Sequence, residues 1–131
     1  MIHSFSSIRK SVSTPLPSVD FNGDWTNELG SLMYLSVGAN GTVAGKYSTA
    51  VGSPTANERF PLVGFASGDL LSFTVDFGKY GCLTSWVGQH TEENGRFVIK
   101  TMWVLAKNVP DADEPKNLWG TVLTGYNNFV R

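Results

Sequence analysis

Hydrophobic and polar residues alternate along most of this chain, in short runs that turn residues separate. Side chains two apart point to the same face of a β-strand, so this alternation predicts strands with one buried face. The pattern predicts eight strands and no long helix. The strands lie near residues 22–29, 31–37, 42–49, 60–65, 69–77, 83–90, 96–106 and 119–128.

Turn residues mark the points at which consecutive strands are joined. Asn40-Gly41 indicates one hairpin turn and Asn94-Gly95 another, because these residues tolerate the positive φ angles of tight turns. Asn40-Gly41 also begins a glycosylation sequon, and the hairpin is the favoured interpretation. The connections at 50–58 and 107–118 are longer. Eight sequential antiparallel strands predict an up-and-down β-barrel, which closes so that no strand edge stays exposed.

Composition agrees with a single all-β domain. The 131 residues are 41% hydrophobic and only 16% charged, which is a globular balance with enough apolar material for a core. We predict a polar N-terminal arm over residues 1–20 and one barrel domain over residues 21–131. The net charge of −1 argues against a nucleic-acid partner. No apolar run approaches the roughly 20 residues of a membrane-spanning helix, so no membrane partner is predicted.

The cellular compartment stays open between secreted and cytoplasmic. Cys82 is the only cysteine, so the chain cannot form an internal disulfide. The first residues combine serine with basic residues and lack the continuous apolar run of a secretory signal.

The last two strands carry apolar side chains on both faces, which indicates an oligomer. On 96–106, one face carries Phe97, Ile99, Thr101, Trp103 and Leu105. The opposite face of 96–106 and one face of 119–128 are also mostly apolar, and their residues include Met102, Val104, Val122, Thr124 and Tyr126. An apolar patch on the outside of a barrel favours a homo-oligomer. The alternative is a scatter of single apolar residues, which is normal on protein surfaces.

The sequence lacks the signatures of an enzyme. His3 and His90 have no partner at metal-binding spacing, and no nucleophile elbow, phosphate-binding loop or dinucleotide glycine pattern occurs. Acidic residues lie mainly in turns, which argues against catalysis by paired carboxylates. We predict no catalytic residue, no metal and no cofactor.

Small polar residues recur beside large aromatic residues near the ends of the predicted strands. Asn27, Leu29 and Ser31 alternate behind Trp25 and would line one face of an extended strand. Later segments repeat the combination with Tyr47 and Thr49, Thr84 and Trp86, Trp103 and Leu105, and Trp119 and Asn127. Buried polar groups are costly unless they are paired. Together these residues predict a deep aromatic pocket with convergent polar groups, the usual form of a small-molecule site.

Five ordered motifs resemble the avidin/streptavidin family of biotin-binding proteins. They are W-T-N-x-L-G-S, T-V-A-G-K-Y-S-T-A-V-G, T-S-W-V-G-Q, K-T-M-W-V-L and L-W-x-T-x-x-x-G-x-N-x-F, and the resemblance covers nearly all of residues 22–129. The resemblance implies an eight-stranded antiparallel barrel, usually tetrameric, that holds biotin at its open end and sequesters the vitamin without catalysis. The alternative is a barrel of the same fold that carries a different small apolar ligand, as lipocalin-like carriers do.

The resemblance also implies a role for each site residue. Asn27, Ser31 and Tyr47 would donate hydrogen bonds to the ureido carbonyl of biotin, and Thr49 and Asn127 would accept from its N–H groups. The other matched residues are Leu29, Phe77, Trp86, Trp103 and Leu105 in the walls, Thr84 beside the thioether sulfur, Ala50, Val51, Gly52 and Ser53 in the loop over the carboxylate, and Trp119 from a neighbouring subunit. Trp25 would close the opposite end of the barrel.

This sequence departs from the family pattern at four positions. Phe77 stands where avidin and streptavidin have tryptophan, and Asn127 follows avidin rather than the aspartate of streptavidin. Cys82 falls where a serine often contacts the ligand tail, and Lys107 replaces a small polar residue at the mouth. These differences bear on affinity more than on the identity of the ligand.

Overall fold

The computed structural model describes residues 19–52, 54–55, 57–109 and 122–131, and most of the predicted arm and of the 107–118 loop lies outside them. The strands are β1 (Gly23–Asn27), β2 (Leu32–Val37), β3 (Thr42–Ser48), β4 (Phe60–Ser67), β5 (Leu70–Asp76), β6 (Cys82–Glu93), β7 (Arg96–Lys107) and β8 (Val122–Val130). Each strand pairs antiparallel with the next, and β8 pairs with β1, so the sheet closes on itself. The prediction of an eight-stranded up-and-down barrel is confirmed.

A 3₁₀ turn at Gly78–Tyr80 joins β5 to β6. No helix among the described residues is long and apolar enough to cross a membrane.

The β2–β3 hairpin follows the predicted turn at Asn40-Gly41. The backbone N–H of Gly38 donates to the carbonyl of Thr42 at 2.8 Å, and Gly41 has a φ of 84°. A Cβ atom on Gly41 would lie 2.6 Å from the carbonyl oxygen of Ala66. Position 41 therefore needs glycine both for its backbone angle and for the close approach of β4.

Inward-facing residues of the strands fill the barrel as the alternation predicts. Leu35, Val75, Ile99 and Phe129 are 0% exposed. Removing such side chains from water contributes roughly 25 cal/mol per Å² of apolar surface, so this interior is the main source of stability.

Aromatic side chains close one end of the barrel. Phe21 and Trp25 are buried, and His90 packs edge-on against both rings at 6.1 and 6.2 Å between centroids. The guanidinium of Arg131 lies 4.1 Å from the centre of the Trp25 ring. None of these four residues lines the cavity described below.

The first strand is shorter than the sequence predicts. β1 ends at Asn27, whereas the prediction extended to residue 29. The side-chain oxygen of Asn27 accepts the backbone N–H groups of Leu29 and Ser31, each at 3.0 Å, and this forms a turn in place of further strand. Leu29 and Ser31 therefore reach the open end from a turn and not from a continuous face.

The other differences lie at strand ends. β6 runs to Glu93 rather than to residue 90, because the β6–β7 hairpin pairs as far as Glu93 and Arg96. At this end of the hairpin, Phe97 on β7 is 63% exposed, and its ring stacks on that of His90 with 5.3 Å between centroids. It does not face the core because β8 pairs with β7 only from Ile99 onward. β8 continues to Val130, and the predicted start of that strand, residues 119–121, lies outside the described residues.

Candidate functional site

A cavity of about 340 Å³ occupies the open end of the barrel. Among the predicted site residues, those that line it are Asn27, Leu29, Ser31, Tyr47, Thr49, Val51, Gly52, Phe77, Thr84, Trp86, Trp103, Leu105 and Asn127. Ala50 does not line the cavity, but its backbone N–H donates to Ser31 Oγ at 2.9 Å. Ser53 and Trp119 lie outside the described residues.

Three hydrogen-bond donors converge at the deep end of the cavity, on Asn27, Ser31 and Tyr47, which are all buried. Asn27 uses its side-chain oxygen for the turn after β1, and its amide Nδ2 lies 3.5 Å from Tyr47 Oη. Ser31 Oγ accepts from the backbone N–H of Ala50, and its hydroxyl hydrogen is available as a donor, either to the neighbouring Tyr47 hydroxyl or to a ligand. Each residue therefore commits acceptor capacity to the protein and retains donor capacity toward the cavity.

The environment of Tyr47 keeps its hydroxyl protonated. Burial raises the pKa of Tyr47 to about 12, against the opposing hydrogen bonds of Ser31 and Asn27, and the negative charge of Glu28 acts in the same direction as burial. The hydroxyl therefore remains a donor at every physiological pH.

Two acceptors also line the cavity, Thr49 in the segment after β3 and Asn127 on β8. The Thr49 hydroxyl donates to the carbonyl of Val51 at 3.0 Å and accepts the Val51 N–H at 3.2 Å, so its remaining lone pair is available. Asn127 Oδ1 accepts from Trp86 Nε1 at 2.9 Å, and one further lone pair stays available on that oxygen. The deep end thus offers donors from β1, from the turn after β1 and from β3, and acceptors from β8 and the segment after β3.

Thr84 Oγ1 is the one buried side-chain polar atom of the described residues that has no hydrogen-bond partner. Thr84 is 3% exposed and lines the cavity from β6. Because an unpaired buried hydroxyl costs free energy, its presence in a cavity wall indicates a site that a ligand completes.

Aromatic rings form the apolar walls of the cavity. Trp86 lies between Phe73 and Tyr47, with ring centroids 4.9 Å from each. Phe77 packs edge-on against Tyr47 at 6.1 Å. These contacts hold the rings in fixed positions, as a preformed small-molecule site requires.

Trp103 reaches the cavity because a glycine lies opposite it. Trp103 on β7 pairs with Gly125 on β8, and a Cβ atom at position 125 would lie 2.4 Å from the indole ring. The indole therefore rests directly on the backbone of β8.

Sequence reasoning missed several residues around the mouth. Tyr80, Pro54 and Leu123 line the cavity, as do Cys82 and Lys107, which the sequence had singled out only as departures from the family pattern. Leu123 shares strand parity with Asn127, so strand alternation already carried the signal for it. Tyr80 and Pro54 lie in irregular connections, where no periodic pattern exists to indicate a direction.

The mouth carries a hydrogen-bonded connection between two loops. Tyr80 Oη donates to Glu58 Oε1 at 2.5 Å, and Glu58 Oε1 also accepts from the backbone N–H of Thr55 at 3.1 Å. The Tyr80 hydrogen bond is the main reason that the pKa of Glu58 is lowered, and the same hydrogen bond raises the pKa of Tyr80. The loop after β3 is thereby tied to the turn between β5 and β6.

No group of three metal-ligating side chains occurs in the ranges that the structure describes. The cavity combines neutral donors, neutral acceptors and aromatic walls, and Lys107 at the mouth is the charged side chain among the lining residues. Such a site suits a small ligand with a polar, uncharged head and an apolar body.

Comparison with known proteins identifies relatives of this barrel. A family model described as the Avidin family matches residues 17–131. Avidin-related protein 4/5 of Gallus gallus is 38% identical over 116 residues, which cover 83% of this chain and 75% of that protein. Avidin of Gallus gallus is 35% identical over 119 residues, which cover 83% of this chain and 76% of that protein. The crystal structure of xenavidin aligns with a TM-score of 0.74 at 30% identity, covering 87% of this chain and 98% of that chain.

Proposed function

This chain belongs to the avidin family, and from that premise we propose that it binds biotin with high affinity in the cavity at the open end of its barrel. Avidin-family proteins are not enzymes. The proposed function therefore involves no catalytic step, and sequestration of the vitamin is its biological role.

The observation that carries the proposal is the hydrogen-bonding capacity that the protein leaves uncommitted at the deep end. Asn27, Ser31 and Tyr47 retain donors, whereas Thr49 and Asn127 retain acceptors. A ureido group needs this complement, because its carbonyl oxygen accepts hydrogen bonds and its two N–H groups donate them. All of these groups are neutral, which matches the absence of charge on the ureido ring.

The remaining lining residues fit the rest of the ligand. Trp86, Trp103 and Phe77 form apolar walls for the fused rings, and the unpaired hydroxyl of Thr84 is available to the thioether sulfur. Backbone N–H groups of the loop from Ala50 onward would meet the carboxylate at the mouth. The comparisons lend no support to a lipocalin-like carrier of a different ligand.

We also propose that the protein is a homotetramer in which Trp119 contacts the ligand of a neighbouring subunit. The outward-facing residues of β7 and β8 support this assembly, because Met102 and Val104 are each 45% exposed and Tyr126 is 73% exposed. Adjacent apolar residues on two strands form a surface suited to another copy of the chain. Light scattering with and without biotin measures the mass of the assembly, and a monomer that binds biotin at full affinity would contradict this part of the proposal.

Titration calorimetry with biotin tests the proposed function directly. We expect saturable binding of one biotin per chain. The protein should also bind biotin-agarose, and free biotin should release it. Ligands that keep the apolar tail but lack the ureido group provide the control, because they leave the deep polar groups unpaired and should not compete. Equal binding of those control ligands would contradict the assignment of the deep end to a ureido group.

A further inference from the structure

Glu28 lies in the turn after β1, outside the set of residues that line the cavity, and its carboxylate contacts β8. Glu28 Oε1 accepts from Asn127 Nδ2 at 3.0 Å, and Oε2 accepts from the backbone N–H of Asn128 at 2.9 Å. Both carboxylate oxygens are therefore used by a strand about 100 residues further along the chain.

Glu28 is a carboxylate at neutral pH. Burial acts to raise the pKa of Glu28, but hydrogen bonds from Asn127 and Asn128 outweigh this effect and hold the pKa below its usual value of 4.5. The side chain remains partly open to solvent, so its charge is screened on that side while its two hydrogen bonds are directed at β8.

These contacts determine which way the Asn127 amide points. Its Nδ2 faces an anionic acceptor, and its Oδ1 faces the donor Trp86 Nε1 at 2.9 Å. A flipped amide would oppose oxygen to carboxylate and NH₂ to indole N–H, and both contacts would be lost. The charge of Glu28 also polarises the amide and makes its oxygen a stronger acceptor.

We propose that Glu28 is a positioning residue for ligand binding, which holds Asn127 so that its oxygen rather than its NH₂ group is presented to an N–H donor of the ligand. This inference rests on the proposed function, because biotin supplies such an N–H group. The turn that ends β1 then has two roles in the site, because Asn27 contributes a hydrogen-bond donor and Glu28 orients the acceptor oxygen of Asn127.

Charge exchange between the two positions tests this role. We would measure biotin affinity by competition calorimetry for the parent, Glu28→Ala, Glu28→Gln, Asn127→Asp and the double variant Glu28→Gln/Asn127→Asp. Asp24→Asn is the matched control, because it removes an exposed carboxylate from β1 that does not line the cavity. A thermal melt of each variant checks that the barrel is folded.

Glu28→Ala should weaken biotin binding about tenfold, because Asn127 loses the charge-assisted hydrogen bond that orients its amide. Glu28→Gln should lose less, because its side-chain oxygen still accepts from Asn127. Asp24→Asn should bind like the parent.

Asn127→Asp places two carboxylates together, which raises the pKa of one of them. Its affinity should be poor at about pH 8 and improve toward about pH 5, where the pair shares a proton. Tyr47, the titratable group on which Glu28 acts electrostatically, has a pKa of about 12 and does not contribute in this range. The double variant restores one amide facing one carboxylate, so it should recover to within about threefold of the parent and lose this pH dependence.

The results distinguish failure of the positioning role of Glu28 from failure of biotin binding itself. If the parent binds biotin tightly and Glu28→Ala binds it equally well, the role of Glu28 is overturned and the proposed function stands. The same conclusion follows if the double variant binds biotin no more tightly than Asn127→Asp. A parent that does not bind biotin overturns the proposed function and this inference with it. A general defect in folding would not produce rescue by the second substitution.

Discussion

Replacement of Tyr47 with phenylalanine removes one oxygen atom from the deep end of the cavity and leaves the ring in place. The ring contacts Trp86 at 4.9 Å and Phe77 at 6.1 Å between centroids, and phenylalanine keeps both contacts. The Tyr47 hydroxyl oxygen accepts a hydrogen bond from Asn27 Nδ2 at 3.5 Å, which is long and therefore weak. We therefore expect the free energy of unfolding to fall by at most about 1 kcal/mol.

The effect on ligand binding should be larger than the effect on stability. The ureido carbonyl would lose one of three donors, and a buried hydrogen bond contributes about 1 kcal/mol net, or up to about 3 kcal/mol when a partner is left unpaired. Because Asn27 and Ser31 still donate, the carbonyl keeps partners. We expect a loss of about 1–2 kcal/mol, which is a roughly 5- to 30-fold increase in the dissociation constant.

Competition calorimetry on the parent, Tyr47→Phe and Tyr126→Phe measures this difference. Tyr126 is 73% exposed on the outer face, so its variant makes the same chemical change away from the cavity. An affinity of Tyr47→Phe equal to that of Tyr126→Phe would refute the assignment of Tyr47 as a donor. A large fall in the melting temperature of Tyr47→Phe would show instead that the hydroxyl serves the fold.

Four further predictions follow from the same cavity. Biotin should change the intrinsic tryptophan emission saturably at one ligand per chain, because Trp86 and Trp103 line the site, and a flat fluorescence titration at saturating biotin would contradict this placement. Gly125→Ala should displace the Trp103 indole, lower stability by about 1–3 kcal/mol through overpacking and weaken biotin binding, as a thermal melt and calorimetry would measure. The pKa of Tyr47 is raised from 10.0 to about 12 in the folded protein, so the stability that its neutral hydroxyl contributes is present below pH 10 and is lost as the pH rises through 12. An absorbance titration should therefore show a tyrosine that ionises later than the others, and this phase should be missing in Tyr47→Phe. Trp119→Ala should weaken biotin binding by about 2 kcal/mol or more and loosen the tetramer, which calorimetry and light scattering would detect.

The class of fold and most of the residues that line the cavity are predictable from the amino-acid pattern. Alternation with a period of two follows from strand geometry, and Asn40-Gly41 marks a turn by its backbone preferences, so both are legible without coordinates. The ordered motifs added the family and the residue types that a ureido ligand needs. The ends of strands were less predictable. β1 stops at Asn27 because a side-chain oxygen captures two backbone N–H groups, and side-chain competition of this kind leaves no periodic trace.

How the polar groups of the site divide their hydrogen bonds depends on contacts that form when the barrel closes. Glu28 and Asn127 meet because β1 and β8 close the barrel, with Thr26 opposite Val130, and nothing in the local sequence of either strand indicates that contact. Asn127 Oδ1 likewise accepts from Trp86 on a distant strand, and Thr84 Oγ1 is buried in the cavity wall without a partner. Residue types follow from the sequence, but which donors and acceptors stay uncommitted depends on contacts between distant strands, because each hydrogen bond is a matter of distance and direction in the folded chain.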